Sequence, residues 1–106
     1  MYRFATLLLA LSFGALAAGE PEFNLVIENH KFAPERIEVP AGKKVKLIVE
    51  NKDATAEEFD SPALRAEKVI PGKSKGTVFI GPLKAGEYPF VGEFNEKTAK
   101  GVVVAK

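Results

Sequence analysis

The sequence predicts an all-β antiparallel sandwich of about seven short strands, with Greek-key connections and one irregular or partly helical cross-over loop. Three observations carry this. Past the N-terminus the dominant hydrophobic period is two, which marks half-buried strands. Turn chemistry recurs roughly every ten residues, at Val39-Pro40-Ala41-Gly42, Ile70-Pro71-Gly72, Gly81-Pro82 and Lys84-Ala85-Gly86. Leu83 to Tyr88 has the L-x-x-G-x-Y spacing of a tyrosine corner, in which the Tyr hydroxyl bonds back to the preceding connection and pins a Greek-key crossover.

The N-terminus stands apart from this pattern. Met1-Tyr2-Arg3 is a short positive region, Phe4 to Ala18 is apolar or small almost throughout, and Ala15-Leu16-Ala17 offers a cleavage site. Residues 1–17 therefore read as a secretory signal peptide, and residues 18–106 as one exported domain. An uncleaved anchor is the rival reading, opposed by a run short for a bilayer.

The strands follow in order. Phe23, Leu25 and Ile27 alternate with polar or outward residues; Ile37 and Val39 flank Glu38; Val45, Leu47 and Val49 alternate with Lys44, Lys46 and Glu50. Gly76 to Ile80, Glu87 to Val91 and Gly101 to Ala105 are short and rich in β-branched or aromatic residues. Pro89 cannot donate to a ladder, so its strand is expected to be an edge or bulged there. Asp53 to Ala66 breaks the pattern: good helix formers suggest one helical turn and Pro62 argues against more, so the segment is expected to cross between the sheets as a loop.

Composition removes several functions. The chain has 106 residues and a formal net charge of +1, and without Arg3 its basic and acidic residues balance. Nothing basic is interleaved with aromatics as nucleic-acid binding would need. With no Cys, thiolate chemistry is excluded, and past Met1 there is no Met and one His, His30. No G-x-S-x-G elbow, H-E-x-x-H pair or P-loop is present, so no enzyme is expected.

Several segments resemble the cupredoxins, and more narrowly the cupredoxin-like domains related to the EfeO type of periplasmic iron-uptake proteins. They are Phe32-Ala33-Pro34, Ile37 to Gly42, Val45 to Asn51, Tyr88-Pro89-Phe90 and Gly101 to Val104. The resemblance implies where copper ligands would fall: the first His at Glu57, the Cys at Gly92, the second His at Asn95, and the axial Met within Lys97 to Lys100. None of these positions offers thiolate, imidazole or thioether, which a type 1 copper site requires, so none is expected. Relatives in this group often read Gly-Glu-Phe-His where this chain has Gly92-Glu93-Phe94-Asn95.

Carboxylates occupy that region instead. Glu57, Glu58 and Asp60 on the expected cross-over loop, with Glu93 and Glu96 on the last loop, would meet at one end of a cupredoxin sandwich. The candidate metal ligands are Glu57, Glu58, Glu93 and Asn95, an oxygen set that suits hard cations. A solvated acidic rim is the competing reading. His30 is expected to be a surface residue, Phe94 to pack under the loop, and Lys43, Lys44, Lys46, Arg65, Lys68, Lys73 and Lys75 to guard outer faces and edges.

Two functions follow. The resemblance implies a periplasmic accessory that binds an iron or copper ion and passes it to a membrane iron permease or another periplasmic protein, acting as a monomer or weak dimer. The other is a metal-free β-sandwich interaction module that uses the acidic rim to meet a basic partner.

Overall fold

The computed structural model describes residues 19–106, and the expected signal peptide lies outside the described residues. The elements are β1 (Glu22–Glu28), β2 (Lys31–Ala33), β3 (Arg36–Val39), β4 (Val45–Asn51), β5 (Glu57–Ser61), β6 (Ala66–Ile70), β7 (Ser74–Ile80), β8 (Gly86–Gly92), the 3-10 turn η1 (Glu93–Asn95) and β9 (Lys100–Ala105). They build a two-sheet sandwich, ordered β2-β1-β4-β7 and β3-β9-β8-β5-β6. Leu25 and Ile27 on β1, Val45, Leu47 and Val49 on β4, and Val103 on β9 are buried between the sheets, as the period of two predicts. Phe32 from the first sheet meets Phe90 from the second edge-on at 4.9 Å between ring centroids, and Phe59 stacks on Phe90 at 5.0 Å.

Two pairings depart from an antiparallel sandwich. β1 lies parallel to β4, and β3 parallel to β9. Each joins strands far apart in sequence, which gives the chain the long connection that parallel neighbours require.

The segment expected to be an irregular cross-over is a hairpin. β5 pairs antiparallel with β6 from Glu57 opposite Ile70 to Ser61 opposite Ala66, within one sheet. On either side of this hairpin the chain changes sheet at residues 52–56, the start of the expected cross-over, and again at 71–73. The alternation of β5 was hidden because its buried positions are Glu57, Phe59 and Ser61, and only Phe59 is apolar. Pro62 opens the hairpin turn. There the Ser61 Oγ accepts from the Leu64 N–H at 3.0 Å and donates to the Pro89 carbonyl at 2.7 Å.

The tyrosine corner forms as the spacing predicts: the Tyr88 hydroxyl donates to the Lys84 carbonyl at 2.8 Å. Pro89 sits opposite Val102 of β9, while the ladder from β8 to β5 covers Phe59 with Gly92 and Asp60 with Val91. At Pro89 that side of β8 is therefore a local edge, as its missing donor demands, and the Ser61 hydroxyl takes its carbonyl. Exposed Lys68 and Lys75 lie on the edge strands β6 and β7, where charge discourages pairing with another chain.

Candidate functional site

Glu57 and Glu58 are neighbours on β5 and so point to opposite faces of the sheet. Glu57 is buried, 1% exposed. Its Oε1 accepts from the backbone N–H of Glu58 at 3.0 Å and of Phe94 at 2.9 Å, while its Oε2 accepts from the Asn95 side-chain amide at 2.7 Å. No buried side-chain nitrogen or oxygen among the described residues lacks a partner. The inner pocket is filled by this carboxylate. A Cβ added at Gly92 would stand 2.7 Å from the Glu57 carboxyl carbon and 2.7 Å from the Ala99 Cβ, so position 92 has no room for a side chain.

The loop after β8 is closed on itself. Gly92 N–H donates to the Ala99 carbonyl at 2.9 Å, and the Ala99 and Thr98 N–H groups donate to the Asn95 carbonyl at 2.8 and 3.1 Å. The Thr98 hydroxyl reaches the His30 carbonyl at 2.6 Å, which brings the β1–β2 turn to this end. That turn places Asn29 and His30 at φ 55° and 57°, and Asp53 supports it by accepting from both N–H groups at 2.8 and 3.0 Å. The His30 N–H bond, more than any other cause, holds the Asp53 carboxyl below the usual carboxylate range. The His30 side chain is exposed, as expected, and the hydrogen bonds His30 makes here run through its backbone.

On the outer face, Glu58 of β5, Glu67 of β6 and Glu93 of η1 each bring one carboxylate oxygen within 4.8 Å of the others. A hydrogen bond with the Glu93 carboxyl pushes Glu58 up to about 7, assisted by desolvation and by the charges of Glu93, Glu67 and Asp60. The ion pairs of the described residues, Arg36 with Glu38 and Glu87, Lys46 with Glu22, and Lys106 with Glu38, all lie elsewhere.

The four candidate ligands therefore do not form one set. Glu57 and Asn95 face each other inside, while Glu58 and Glu93 face outward with Glu67, which the sequence reading missed. Glu67 becomes a candidate only once residues 57–70 are read as a hairpin, because the register sets it opposite Asp60 and diagonal to Glu58 on the same face. Asp60 lends its charge to the outer group, whereas Glu96 lies exposed outside it. Phe94 is 53% exposed, against the expectation that it would pack under the loop. Its backbone N–H is the part held inside, and Phe32, Phe59 and Phe90 already fill the aromatic core.

The match to known proteins follows this geometry. A family model described as a cupredoxin-like domain matches residues 2–105. The chain belongs to the cupredoxin-like family. It is 39% identical over 83 residues to the uncharacterized protein RP394 of Rickettsia prowazekii (strain Madrid E), covering 78% of this chain and 66% of that one. The domain thus spans slightly less than two thirds of that relative's length. Auracyanin A, a blue copper protein of Chloroflexus aurantiacus, superposes with a TM-score of 0.72 at 16% identity, over 83% of this chain and all of that one. The metal-binding domain of the Cu(I)-exporting P-type ATPase CopA from Streptococcus pneumoniae D39 superposes at 0.68 with 14% identity, over 80% and 84%. At these identities the structural likeness is one of fold.

Copper is the metal this fold suggests, and the domain's residues do not fit a type 1 site. The chain has no cysteine, and the positions to which the resemblance assigns copper ligands hold a hydrogen-bonded carboxylate at Glu57, no side chain at Gly92 and an amide at Asn95. A type 1 centre needs a thiolate and two imidazoles, so no step here runs through one.

Proposed function

We propose that the domain is a periplasmic accessory of metal handling that carries a hard cation, iron ahead of copper, and passes it to a membrane permease system. The observation behind this is the convergence of Glu58, Glu67 and Glu93, from three separate segments, within 4.8 Å. Three carboxylates at that spacing repel one another, and a cation with a preference for oxygen relieves the repulsion. An all-oxygen donor set favours iron, manganese or calcium over Cu(I). The site is open to solvent on one side, which suits a cargo that must leave again. We read the domain as a binding protein rather than an enzyme, acting as a monomer or weak dimer, and delivered by a signal peptide at residues 1–17.

Thermal unfolding with Fe(II), Fe(III), Mn(II), Ca(II) and Cu(II) tests this. A cation held at the outer group raises the midpoint of the wild type, by a free energy of about 2.7 kcal/mol at a hundredfold excess over Kd. Glu58→Gln, Glu67→Gln and Glu93→Gln each remove most of that rise. If no cation moves the midpoint, or if the shift survives in all three variants, the cation reading is wrong. The metal-free interaction module then takes its place. That second reading is favoured by Phe94 at 53% and Val69 at 49% exposure, with Val69 paired to Glu58 in the ladder and Phe94 next to Glu93 in the chain. An apolar and acidic surface of this kind fits a basic partner protein.

A further inference from the structure

We propose that Glu57 is the positioning residue of this end of the domain: its buried carboxylate links β5 to the η1 loop, and through that loop holds Glu93 against Glu58. The decisive geometry lies at one oxygen. Glu57 Oε1 accepts the N–H of Glu58 at 3.0 Å and the N–H of Phe94 at 2.9 Å. The first is the amide of one outer carboxylate residue, and the second belongs to the peptide that leaves Glu93. A single buried atom therefore fixes the backbone beside two of the three outer carboxylates. The second oxygen completes the link by accepting from Asn95 at 2.7 Å, which closes the third residue of η1 onto β5.

Gly92 is the matching half of this arrangement. Its missing side chain leaves the space the carboxylate occupies, since a Cβ there would stand 2.8 Å from Glu57 Oε2. Two hydrogen bonds, from the Phe94 N–H and the Asn95 amide, fix the strand to the loop, and the third, from the Glu58 N–H, holds the carboxylate in place on β5. The loop stands ready before any cargo arrives, and the entropy of ordering Glu93 is already spent. This deepens the cation reading and rests on it for its purpose, though not for its geometry.

Cation-free NMR of the domain gives the test. In the wild type a through-hydrogen-bond coupling joins the Phe94 amide nitrogen to the Glu57 carboxyl carbon, and the Phe94 amide exchanges slowly although its side chain is exposed. Glu57→Ala speeds that exchange by about tenfold or more while core amides such as Val103 stay slow. The double variant Glu57→Gln with Asn95→Asp restores slow exchange, because the introduced glutamine keeps a carbonyl acceptor for both backbone amides and donates its own amide to the new acid. Absence of the coupling in the wild type, or unchanged Phe94 exchange in a folded Glu57→Ala, overturns the proposal. If Glu57→Ala fails to fold, the coupling and the double variant decide it. In a second arm, Mn(II) binds Glu57→Ala about tenfold more weakly and the double variant as strongly as wild type. Equal Mn(II) affinity in a folded Glu57→Ala overturns the link to Glu93. Should the wild type take no Mn(II), the cation reading fails alone, and coupling and exchange still decide the positioning role.

Discussion

Glu57 and Glu58 are the same residue type, adjacent on one strand, and the fold gives them opposite situations. Glu57 is inside, with both oxygens occupied by fixed donors; Glu58 is half-buried on the outer face, crowded by Glu93, Glu67 and Asp60. The pleat makes this division, since successive side chains of a strand leave on opposite faces. One side of β5 is thus closed by fixed donors around a carboxylate, and the other crowds like carboxylates, two of them hydrogen-bonded to each other, at a solvent-facing surface. Closing a site and offering a site take the same chemistry in different surroundings, and the difference is whether donors or acceptors face the carboxylate.

The comparison breaks most severely at Glu57. Glu57→Ala leaves the Phe94 N–H and the Asn95 amide unpaired next to a cavity, at a cost of about 3 kcal/mol to folding. Urea midpoints measure it. Glu58→Ala in the same assay leaves the midpoint where it is or raises it, because it removes repulsion at a solvent-facing site. Equal losses in the two variants would show that β5 does not divide its faces in this way.

Gly92→Ala comes next. Its new Cβ meets the Glu57 carboxyl carbon and the Ala99 Cβ, both at 2.7 Å, and overpacking of this kind costs about 1–3 kcal/mol. In the Glu57→Ala background part of that collision is gone, so the double variant loses less than the two singles together. Simple additivity in a double-mutant cycle would separate Gly92 from the carboxylate.

Much of this was legible in the sequence, and the rest was not for identifiable reasons. The strands with apolar inward faces, the tyrosine corner at Tyr88 and the meeting of positions 57, 92 and 95 follow from period, turn spacing and resemblance. The β5–β6 hairpin escaped because Glu57 and Ser61 sit at inward positions where a hydrophobic pattern expects apolar residues. Their burial depends on partners far along the chain: Phe94 and Asn95 for Glu57, Pro89 for Ser61. Glu67 escaped for a related reason, since only register sets it near Glu58. The separation of Glu57 from Glu58 could have been read from adjacency, had the segment been taken as a strand.

The open side has its own pH signature. Glu58 is raised to about 7 in the folded domain from an ordinary 4.5, so the folded state holds its proton more tightly than the unfolded chain. Below pH 4.5 both states are protonated and the group contributes no difference. Between 4.5 and about 7 the unfolded chain ionises first, so stability falls as pH rises and levels off above that window. Glu93→Gln keeps a hydrogen-bonding partner and removes the charge beside Glu58, which brings the Glu58 midpoint down and flattens this slope. Cation affinity runs the other way, rising as pH increases through about 7, because the cation competes with the Glu58 proton. Carbon-detected titration of Glu58 checks the first, and Mn(II) titration on either side of neutrality the second.

The smallest effect on folding belongs to Phe94, where the two sides share one residue. Its N–H is part of the closed side, 2.9 Å from Glu57, while its ring is 53% exposed on the open one. Phe94→Ser keeps the backbone donor and removes only the ring, so stability moves within about 0.5 kcal/mol. A loss above about 1.5 kcal/mol would mean that the ring packs after all and that η1 is held by apolar contact as well as by Glu57. Cation response sharpens the result. A domain that works through its carboxylates keeps its Mn(II) shift in Phe94→Ser, whereas one that works by docking a basic partner loses that partner and has no Mn(II) shift to keep. The same variant, nearly silent in unfolding, thus tells whether the open side of β5 holds an ion or a protein.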